Sequence, residues 1–365
     1  MNSEKLRVGI IGANVSYGWG PRAHLPALKG LPDVDLIAVC TAHEETAKES
    51  AEKYDVPMAF HDHKEMLDQS DIDAVGVIVR VPLHHRLTMD ALESGKHVYT
   101  EWPLGANLAE AEEMAELARR KQVRTMVGLQ ARCSPALLQL RELVENGYFG
   151  EVLSCHMTIF GSGVLSRPAD RTWQRDVTLG ANTFTISFGH GIDALCMCLG
   201  EFKEVSAVIS TQVPQWLEID TNQMVDVTSP DNVLLSGVLE GGTVVSAHVS
   251  SVPWHGGGFR IDVFGRDATA VLEADGGAQI SSVSRKTGKG DDSGLSEYPI
   301  SAEHRWVPDS LGSGPPYNVG QMWSRFARAL QNSESAEPDF DLAVKRHRLL
   351  DAIQRASDTG QRQTL

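Results

Sequence analysis

The sequence predicts an α/β protein of two domains: an N-terminal doubly wound parallel sheet, then an α/β domain with a large, open, mostly antiparallel sheet. Three observations predict this fold class. Apolar runs alternate with helix-like stretches over the first third of the chain. The second half changes to successive strands joined by short turns, and two helical stretches close the chain. A length of 365 residues accommodates two domains.

The predicted parallel strands are apolar along their whole length, as expected for strands that are buried on both faces. They lie at residues 6–12, 34–40, 74–79, 97–101 and 124–130. Helical stretches between them lie at 44–54, 85–95 and 107–122. The first domain is therefore predicted to span residues 1–128.

The second domain is predicted to span residues 129–365, and a strand edge of its sheet is able to pair with a partner subunit in an oligomer. Its strands are predicted at 152–160, 204–211, 232–251, 259–265, 268–274 and 278–284. The "EGG" and "GRD" stretches are turn signals, and the glycine-rich polar stretch 284–297 predicts a mobile loop. Helices are predicted at 319–331 and 341–357, and they are able to pack back on the first domain.

The composition argues against several classes of function. A net charge of −15 and a pI near 5.3 oppose direct binding to nucleic acid or to anionic lipid. No apolar run approaches the ~20 residues of a membrane span. The first residues lead straight into a strand without a signal-peptide core, so a cytoplasmic protein is expected. The odd number of scattered cysteines predicts buried core thiols, with no metal site.

A small-residue loop follows the first strand and leads into a helix. Such a loop lets the backbone approach a pyrophosphate at the helix N-terminus. Gly12 ends the strand, and Asn14 stands where a second glycine is usual. An apparent insertion then places Tyr17, Trp19 and Gly20 near the cofactor or its entrance. These residues predict that the first domain, residues 1–128, binds a dinucleotide. The alternative is a loop of the same shape that holds no phosphate.

The end of the second strand carries no acidic residue. A carboxylate there would bind the ribose 2′-hydroxyl of NAD, whereas a 2′-phosphate requires its absence. Thr41 and His43 occupy this position, and Glu44 and Glu45 are expected to start the next helix. The cofactor is therefore predicted to be NAD or NADP.

Three stretches, "ALESGKHVYTEWPL", "GYFGEV" and "FGHGIDAL", resemble the glucose–fructose oxidoreductase / inositol dehydrogenase / rhizopine-catabolism (Gfo/Idh/MocA) family, and the resemblance covers nearly the whole chain. The resemblance implies an N-terminal Rossmann domain and a C-terminal domain with an open sheet. It also implies NAD(P)-dependent chemistry on sugars and cyclic polyols, with the second domain, residues 129–365, binding the substrate. Assembly through the open sheet, as a homodimer or homotetramer, is a further implication.

Two positions depart from the family pattern. Trp102 stands in place of the family's lysine in E-K-P, and Ile186 stands in place of the aspartate in D-x-x-x-H. His190 is retained. Since hydride removal from an alcohol requires a base, His190 is the predicted acid/base, with Asp193 orienting its ring. The alternative for His190 is a structural histidine, and for Trp102 a packing residue instead of a surface that stacks on nicotinamide or sugar.

A subgroup departs from the family in a similar way. The "VPLH", "EW" and "SFGHGID" stretches are similar to the fungal galactose-regulon repressor and its bacterial relatives. That similarity implies a protein which binds a dinucleotide and a protein partner as a regulator.

Further candidates follow strand ends or precede the His190 segment. The predicted cofactor-binding residues also include Val79, Pro82, His84, Glu101, Trp102 and Gln130. The predicted substrate-binding residues are Trp102, Arg132, Arg171, Trp173, Asp193 and Trp254. Tyr317 and Asp176 are possible catalytic helpers. The alternative for each is a surface or packing role.

The leading hypothesis is an NAD(P)-dependent oxidoreductase that transfers a hydride to or from a secondary alcohol or ketone of a carbohydrate-like substrate. One alternative is a dinucleotide-binding regulatory protein without catalysis. A weaker alternative is an eliminase or glycosidase that oxidises its substrate transiently.

Overall fold

A computed structural model describes residues 5–365 and divides the chain into two compact units. Unit 1 contains residues 5–130 and Arg305–Lys345, and unit 2 contains Ala131–His304 and Arg346–Leu365. Each unit is therefore built from two separate stretches of sequence. The assignment of cofactor binding to residues 1–128 and of substrate binding to 129–365 stays a prediction.

Unit 1 contains a six-stranded parallel sheet of order β3-β2-β1-β4-β5-β6, which confirms the predicted doubly wound sheet. Its strands are β1 (Leu6–Ile11), β2 (Val34–Cys40), β3 (Met58–Phe60), β4 (Ala74–Val77), β5 (His97–Glu101) and β6 (Thr125–Gly128). Its first helices are α1 (Leu25–Gly30), α2 (Glu44–Tyr54), α3 (His63–Leu67), α4 (His84–Glu93) and α5 (Leu108–Lys121). A π-helical turn at Gly20–His24 leads into α1.

Local sequence signals explain these elements. The central strands β1, β4 and β5 are almost fully buried, which explains their unbroken apolar composition. α5 begins at Asn107, whose side chain accepts a hydrogen bond from the Glu110 N–H at 3.0 Å. Glu44 and Glu45 lie in the first turn of α2, as predicted. The edge strand β3 was not predicted, because three partly exposed residues give no periodic signal.

Unit 2 is built on a nine-stranded mixed sheet, mostly antiparallel, of order β17-β16-β15-β14-β7-β13-β12-β9-β18. Its helices are α6 (Pro135–Glu145) and α7 (Gly189–Leu199). Its strands begin with β7 (Val152–Ser162), β8 (Ser166–Arg167), β9 (Phe202–Ser210), β10 (Gln215–Glu218) and β11 (Gln223–Asp226). They continue with β12 (Asn232–Leu239), β13 (Val244–Val252), β14 (Gly258–Gly265), β15 (Ala268–Ala274), β16 (Ser284–Lys289) and β17 (Ser296–Glu297).

Two predictions about unit 2 were wrong. The stretch 278–283 forms turns and bends and contains no strand, whereas the stretch 284–297, expected to be a loop, contains the strands β16 and β17. The β16 residues are mostly polar or glycine, so composition indicated a loop. Pairing with β15 and a hydrogen bond from the buried Thr287 hydroxyl to the Thr269 carbonyl at 2.8 Å override that signal.

The last part of the chain contributes to both units. α8 (Pro315–Gln331) belongs to unit 1, α9 (Phe340–Thr359) begins in unit 1 and continues into unit 2, and β18 (Gln363–Thr364) pairs with β9. Both closing helices were predicted. All five cysteines are buried free thiols, as expected. Within residues 5–365, no helix has the length and apolar composition needed to cross a membrane.

Candidate functional site

The glycine loop of unit 1 depends on the absence of side chains at two positions. Gly12 has φ +92°, and a Cβ there would lie 2.0 Å from the carbonyl oxygen of Ile78 at the end of the neighbouring strand. A Cβ at Gly20 would lie 2.9 Å from the Gly12 carbonyl oxygen. The loop therefore brings bare backbone to the carboxyl edge of the sheet and to the start of a helix, as phosphate binding requires.

Asn14 organises the inserted part of this loop. Its side-chain oxygen accepts hydrogen bonds from the backbone N–H groups of Ser16, at 2.8 Å, and Tyr17, at 3.4 Å. This is an Asx-type turn, so the side chain replaces the backbone freedom of a glycine. The Tyr17 ring is 55% exposed on the resulting loop.

Trp19 offers a hydrogen-bond donor on the same loop. Its indole Nε1 is buried, and within residues 5–365 it has no hydrogen-bond partner. A buried N–H requires an acceptor, and a ligand oxygen meets that need. The glycine loop and this donor fit a dinucleotide, which when bound would supply the site that gives or accepts a hydride.

Two threonine hydroxyl groups lie at the carboxyl end of β2. The Thr41 hydroxyl lies 2.9 Å from the His43 carbonyl oxygen and 2.6 Å from the Thr46 hydroxyl. His43 is exposed at the start of α2. No carboxylate occupies the strand-end position, so the structure leaves the choice between NAD and NADP open.

A chain of buried polar side chains connects four elements of unit 1. The Trp323 indole N–H on α8 donates to His24 Nδ1 at 3.0 Å. Because Nδ1 accepts, Nε2 carries the proton and donates to Glu101 at 2.7 Å. Both Glu101 oxygens also accept from the Gln130 amide, at 2.9 and 2.8 Å. We call these four residues the tryptophan–histidine–glutamate chain. It fixes Glu101 immediately before Trp102.

Glu101 and Gln130, which were predicted to bind the cofactor, are thus held in this chain. Gly128 makes the arrangement possible, since a Cβ there would lie 2.6 Å from the Glu101 carboxylate. His24 and Trp323 were missed. His24 lies in the "GPRAHLPAL" stretch, where a histidine surrounded mainly by small and apolar residues was the available signal.

His84 joins two loops at the carboxyl edge of the same sheet. Its Nδ1 lies 2.8 Å from the Pro103 carbonyl oxygen, and its Nε2 lies 3.1 Å from that of Val79. Burial lowers the pKa of His84 below its ordinary value, although these carbonyls act in the opposite direction. His84 is therefore a loop-joining residue. Pro82 is exposed in the short 3₁₀ turn before it.

Trp102 is 4% exposed, and the Trp102–Pro103 peptide bond is cis. Burial to this degree agrees with the packing interpretation of the tryptophan. It leaves little indole surface for a freely diffusing ligand.

His190 is the second residue of α7 in unit 2 and is 6% exposed. The π-helical turn Thr183–Phe188, capped by the Asn182 side chain, leads directly into this helix. Gly191 allows α7 to approach β7, because a Cβ there would lie 2.5 Å from Ile159 Cδ1. Ile186 is half-buried in the π-helical turn, one turn before His190.

Asp193 and Arg132 form a buried ion-pair network. The Arg132 guanidinium donates to both Asp193 oxygens at 2.8 and 2.9 Å, and Arg346 Nε donates to the same carboxylate at 3.0 Å. Arg346 also binds Glu201 through two hydrogen bonds, at 3.0 and 3.1 Å. Burial alone would raise the pKa of Asp193, but the two guanidinium groups hold it below its ordinary value.

The network gives Asp193 and Arg132 a role inside unit 2. Both oxygens of the fully buried Asp193 accept from guanidinium groups, and its predicted roles in orienting His190 and in binding substrate stay predictions. Arg132 is likewise engaged inside unit 2. The i, i+3 spacing of His190 and Asp193 suggested a dyad, whereas the partner Arg346 is 153 residues away in sequence from Asp193 and gave no local signal.

The remaining candidates lie on several short segments. Asp176 is exposed and accepts hydrogen bonds from the side chain and backbone of Thr178, which lower its pKa, so it caps a turn and is a poor base. Burial raises the pKa of Tyr317, at the start of α8 in unit 1. Arg171 is exposed and Trp173 is half-buried beside the 3₁₀ turn Thr172–Arg175. Trp254 is 71% exposed on the loop between β13 and β14.

Residues 5–365 contain no group of three or more His, Cys, Asp or Glu side chains that could hold a metal ion. The six-stranded parallel sheet and the glycine loop are those of the dinucleotide-binding Rossmann class.

Comparison with known proteins places the chain in a family. Residues 6–129 match the oxidoreductase family with an NAD-binding Rossmann fold, Gfo/Idh/MocA, and residues 135–274 match the C-terminal domain of Gal80p. The chain belongs to the Gfo/Idh/MocA family and resembles its Gal80-like members, as the motifs predicted.

Its relatives include both enzymes and regulators. The chain is 31% identical to the dehydrogenase aclE of Aspergillus oryzae, over 98% of each chain. It is 29% identical to the galactose/lactose metabolism regulatory protein GAL80 of Saccharomyces cerevisiae, over 77% of this chain and 70% of that protein. A structure of levoglucosan dehydrogenase with NADH and levoglucosan superposes with a TM-score of 0.86 at 21% identity and 99% coverage of both chains, which supports the fold.

Proposed function

We propose that this protein is an NAD(P)-dependent oxidoreductase that acts on a secondary alcohol or ketone of a sugar-like molecule. The observation that carries the proposal is the similarity to a protein named a dehydrogenase over 98% of both chains. The glycine loop, with Asn14 at the position of the usual second glycine, and the indole donor of Trp19 supply residues suited to a dinucleotide. NAD and NADP are both compatible with the hydroxyl-lined end of β2.

His190 is the proposed acid/base. Removing a hydride from a carbinol carbon leaves a proton on the oxygen, and a positioned base contributes about 10²–10⁴-fold to such a step. Trp102 and Ile186 replace the lysine and the aspartate of the family's catalytic motifs. His190 is the polar residue of those motifs that this chain retains. Tyr317 is the proposed proton donor to the substrate oxygen; a tyrosine hydroxyl is protonated at neutral pH, and burial raises the pKa of Tyr317 further above its ordinary value.

The test measures formation of reduced nicotinamide with NAD⁺ or NADP⁺ and a panel of sugars and polyols. Turnover of at least one compound is expected, and His190→Ala should lower kcat by about 100-fold or more. His156→Ala is the matched control, because His156 is an exposed histidine of β7 in the same unit. Turnover that survives His190→Ala would exclude His190 as the acid/base.

A second candidate is a dinucleotide-binding regulator without catalysis. It is favoured by Trp102, by Ile186 and by the match to the Gal80p C-terminal domain. If the protein binds NADH or NADPH but turns over nothing in the panel, this candidate replaces the enzyme. Release of an aglycone without net change of cofactor would instead indicate a transiently oxidising eliminase or glycosidase.

We further propose that the protein forms a homodimer or homotetramer through the nine-stranded sheet and that it is located in the cytoplasm.

A further inference from the structure

Glu101 places a carboxylate at the carboxyl edge of the unit 1 sheet. It is the last residue of β5 and is 9% exposed. We propose that its negative charge makes the predicted dinucleotide site favour the oxidised, positively charged nicotinamide ring over the reduced, neutral ring. The inference rests on the dinucleotide binding of the proposed function, and it adds which redox state of the cofactor the protein retains.

The hydrogen bonds of the Glu101 carboxylate suit its charged form. The Gln130 amide donates to both oxygens, at 2.9 and 2.8 Å, and His24 Nε2 donates to one of them at 2.7 Å. All three hydrogen bonds that residues 5–365 make to these oxygens are donated to them, whereas a protonated carboxyl would donate its own O–H. This arrangement favours the anion.

The charge of Glu101 has no cationic partner within residues 5–365. No lysine or arginine forms an ion pair with it. The Trp323 indole can only donate, so His24 accepts at Nδ1 and its ring is neutral. His84 also feels the charge of Glu101, but burial lowers the pKa of His84 below its ordinary value, so this ring is neutral at neutral pH as well. A buried charge without compensation is costly, and a cationic ligand group would compensate it.

The fold places this charge on the nicotinamide side of the predicted site. The strand order of the sheet reverses between β1 and β4, and dinucleotides cross a doubly wound sheet at that point. In this fold class the pyrophosphate lies at the glycine loop after β1, and the end of β2 contacts the adenosine ribose. The other half of the dinucleotide is therefore directed towards the ends of β4 and β5. Glu101 lies there, and His24 joins it to the π-helical turn that follows the glycine loop.

The two redox states of the dinucleotide share their phosphates and differ in charge at the nicotinamide ring, which becomes neutral when it accepts a hydride. A fixed anion therefore attracts the oxidised form and has little effect on the reduced form. Because a buried site screens charges less than water does, we expect an effect of about 10-fold or more on the affinity for the oxidised form.

Titration of the full chain with NAD⁺, NADH, NADP⁺ and NADPH, followed by calorimetry, tests the proposal. The wild-type protein should bind the oxidised member of the preferred pair at least as tightly as the reduced member. Glu101→Gln should weaken binding of the oxidised form about 10-fold and leave the reduced form nearly unchanged. Glu101→Asp, which retains the charge, should keep the preference. Glu116→Gln is the matched control, because it removes the same charge from an exposed residue of α5 in the same unit.

The reduced form is the internal reference. If Glu101→Gln weakens both forms equally, Glu101 only shapes the site and the proposal is wrong. Circular dichroism shows whether the variant is folded; if it is not, tighter binding of the reduced form by the wild-type protein overturns the proposal.

The proposed function fails separately. A shifted ratio of dissociation constants without turnover of any compound in the panel retains this inference and removes the enzyme assignment. Turnover with an unchanged ratio does the reverse. If the wild-type protein binds neither redox form, the dinucleotide assignment and this inference are both wrong.

Discussion

Each unit contains one buried polar network that joins a C-terminal helix to the earlier part of the chain, and the two networks differ in charge. In unit 1, Trp323 reaches His24, which donates to Glu101. In unit 2, Arg346 and Arg132 share Asp193. The first network carries one carboxylate at the edge of the predicted cofactor site. The second carries ionised groups that compensate one another inside the unit.

The two networks show that buried polar groups can serve two different structural roles. Neutral donors arranged around a single carboxylate orient the residue before Trp102, whereas a fully charged network mainly holds elements together. Removing one member of a buried ion pair leaves a charge without compensation, which costs more than losing a neutral hydrogen bond. The predictions below test this ranking.

The largest expected effect comes from Asp193→Asn. It leaves the guanidinium groups of Arg132 and Arg346 without their shared carboxylate, and the free energy of unfolding should fall by about 3–5 kcal/mol. Urea denaturation followed by circular dichroism measures the loss. Asp351→Asn, which removes only an exposed i, i+4 partner of Arg355, is the control and should have little effect. Equal losses in the two variants would contradict the structural role of the network.

Gly12→Ala should have the next largest effect. Its Cβ would meet the Ile78 carbonyl oxygen, so stability should fall by about 2–3 kcal/mol and dinucleotide binding, measured by fluorescence titration, should weaken strongly. Gly18→Ala is a matched control. Gly18 has a similar φ of +89° but no atom within 4 Å of the added Cβ, so it tests backbone strain without the clash. Identical behaviour of the two variants would contradict the steric argument.

The third prediction compares one tryptophan of each unit, through the variants Trp323→Phe and Trp216→Phe. It removes the indole donor to His24, whereas Trp216→Phe in unit 2 removes a buried indole whose Nε1 has no hydrogen-bond partner within residues 5–365. Both variants lose a similar volume. Trp323→Phe should therefore cost about 1–2 kcal/mol more in unfolding free energy, because an acceptor on His24 is left unsatisfied. Equal losses of unfolding free energy in the two variants would show that Trp323 contributes only packing and that the tryptophan–histidine–glutamate chain adds no stability.

The smallest effect is expected from Asp73→Asn in unit 1. Partial burial alone would raise the pKa of Asp73, but hydrogen bonds from the Arg7 side chain and backbone hold it below its ordinary value. A lowered folded-state pKa stabilises the protein above the unfolded value of about 3.9. The difference between wild type and variant should be about 1 kcal/mol at neutral pH and should disappear as the pH falls through the folded-state pKa.

Denaturation midpoints measured across acidic pH test this dependence. Asp35→Asn, at the exposed partner of Lys5, is the control. A difference that grows on acidification would have the wrong sign for a paired carboxylate.

The fold was more predictable from sequence than the candidate site. Apolar runs and glycine signals located the main strands, because burial on both faces imposes a continuous pattern. The same signals failed at β3 and β16, where edge pairing acts on short or polar stretches. The glycine loop was also found, since Gly12 serves a local backbone requirement.

Residue roles that depend on distant partners were not predictable. Asp193 was interpreted from its neighbour His190, three positions away, although its guanidinium partner Arg346 is 153 residues distant. His24 gained its role from Trp323, 299 residues away. Spacing along one helix indicates which side chains share a face, but it does not indicate which helix arrives from the other end of the chain.

The split composition of the two units has a consequence for biosynthesis. Unit 1 includes Arg305–Lys345, and the last strand of the unit 2 sheet is β18, at Gln363–Thr364. Domains generally fold as the ribosome releases them, starting from the N-terminus. In this chain, Trp323 is translated 299 residues after His24. Residues 5–130 are therefore synthesised long before the core of unit 1 is complete. Unit 1 gains its last residues only when Lys345 has been translated, and the unit 2 sheet gains β18 later still, so complete folding of either unit follows synthesis of both stretches that build it.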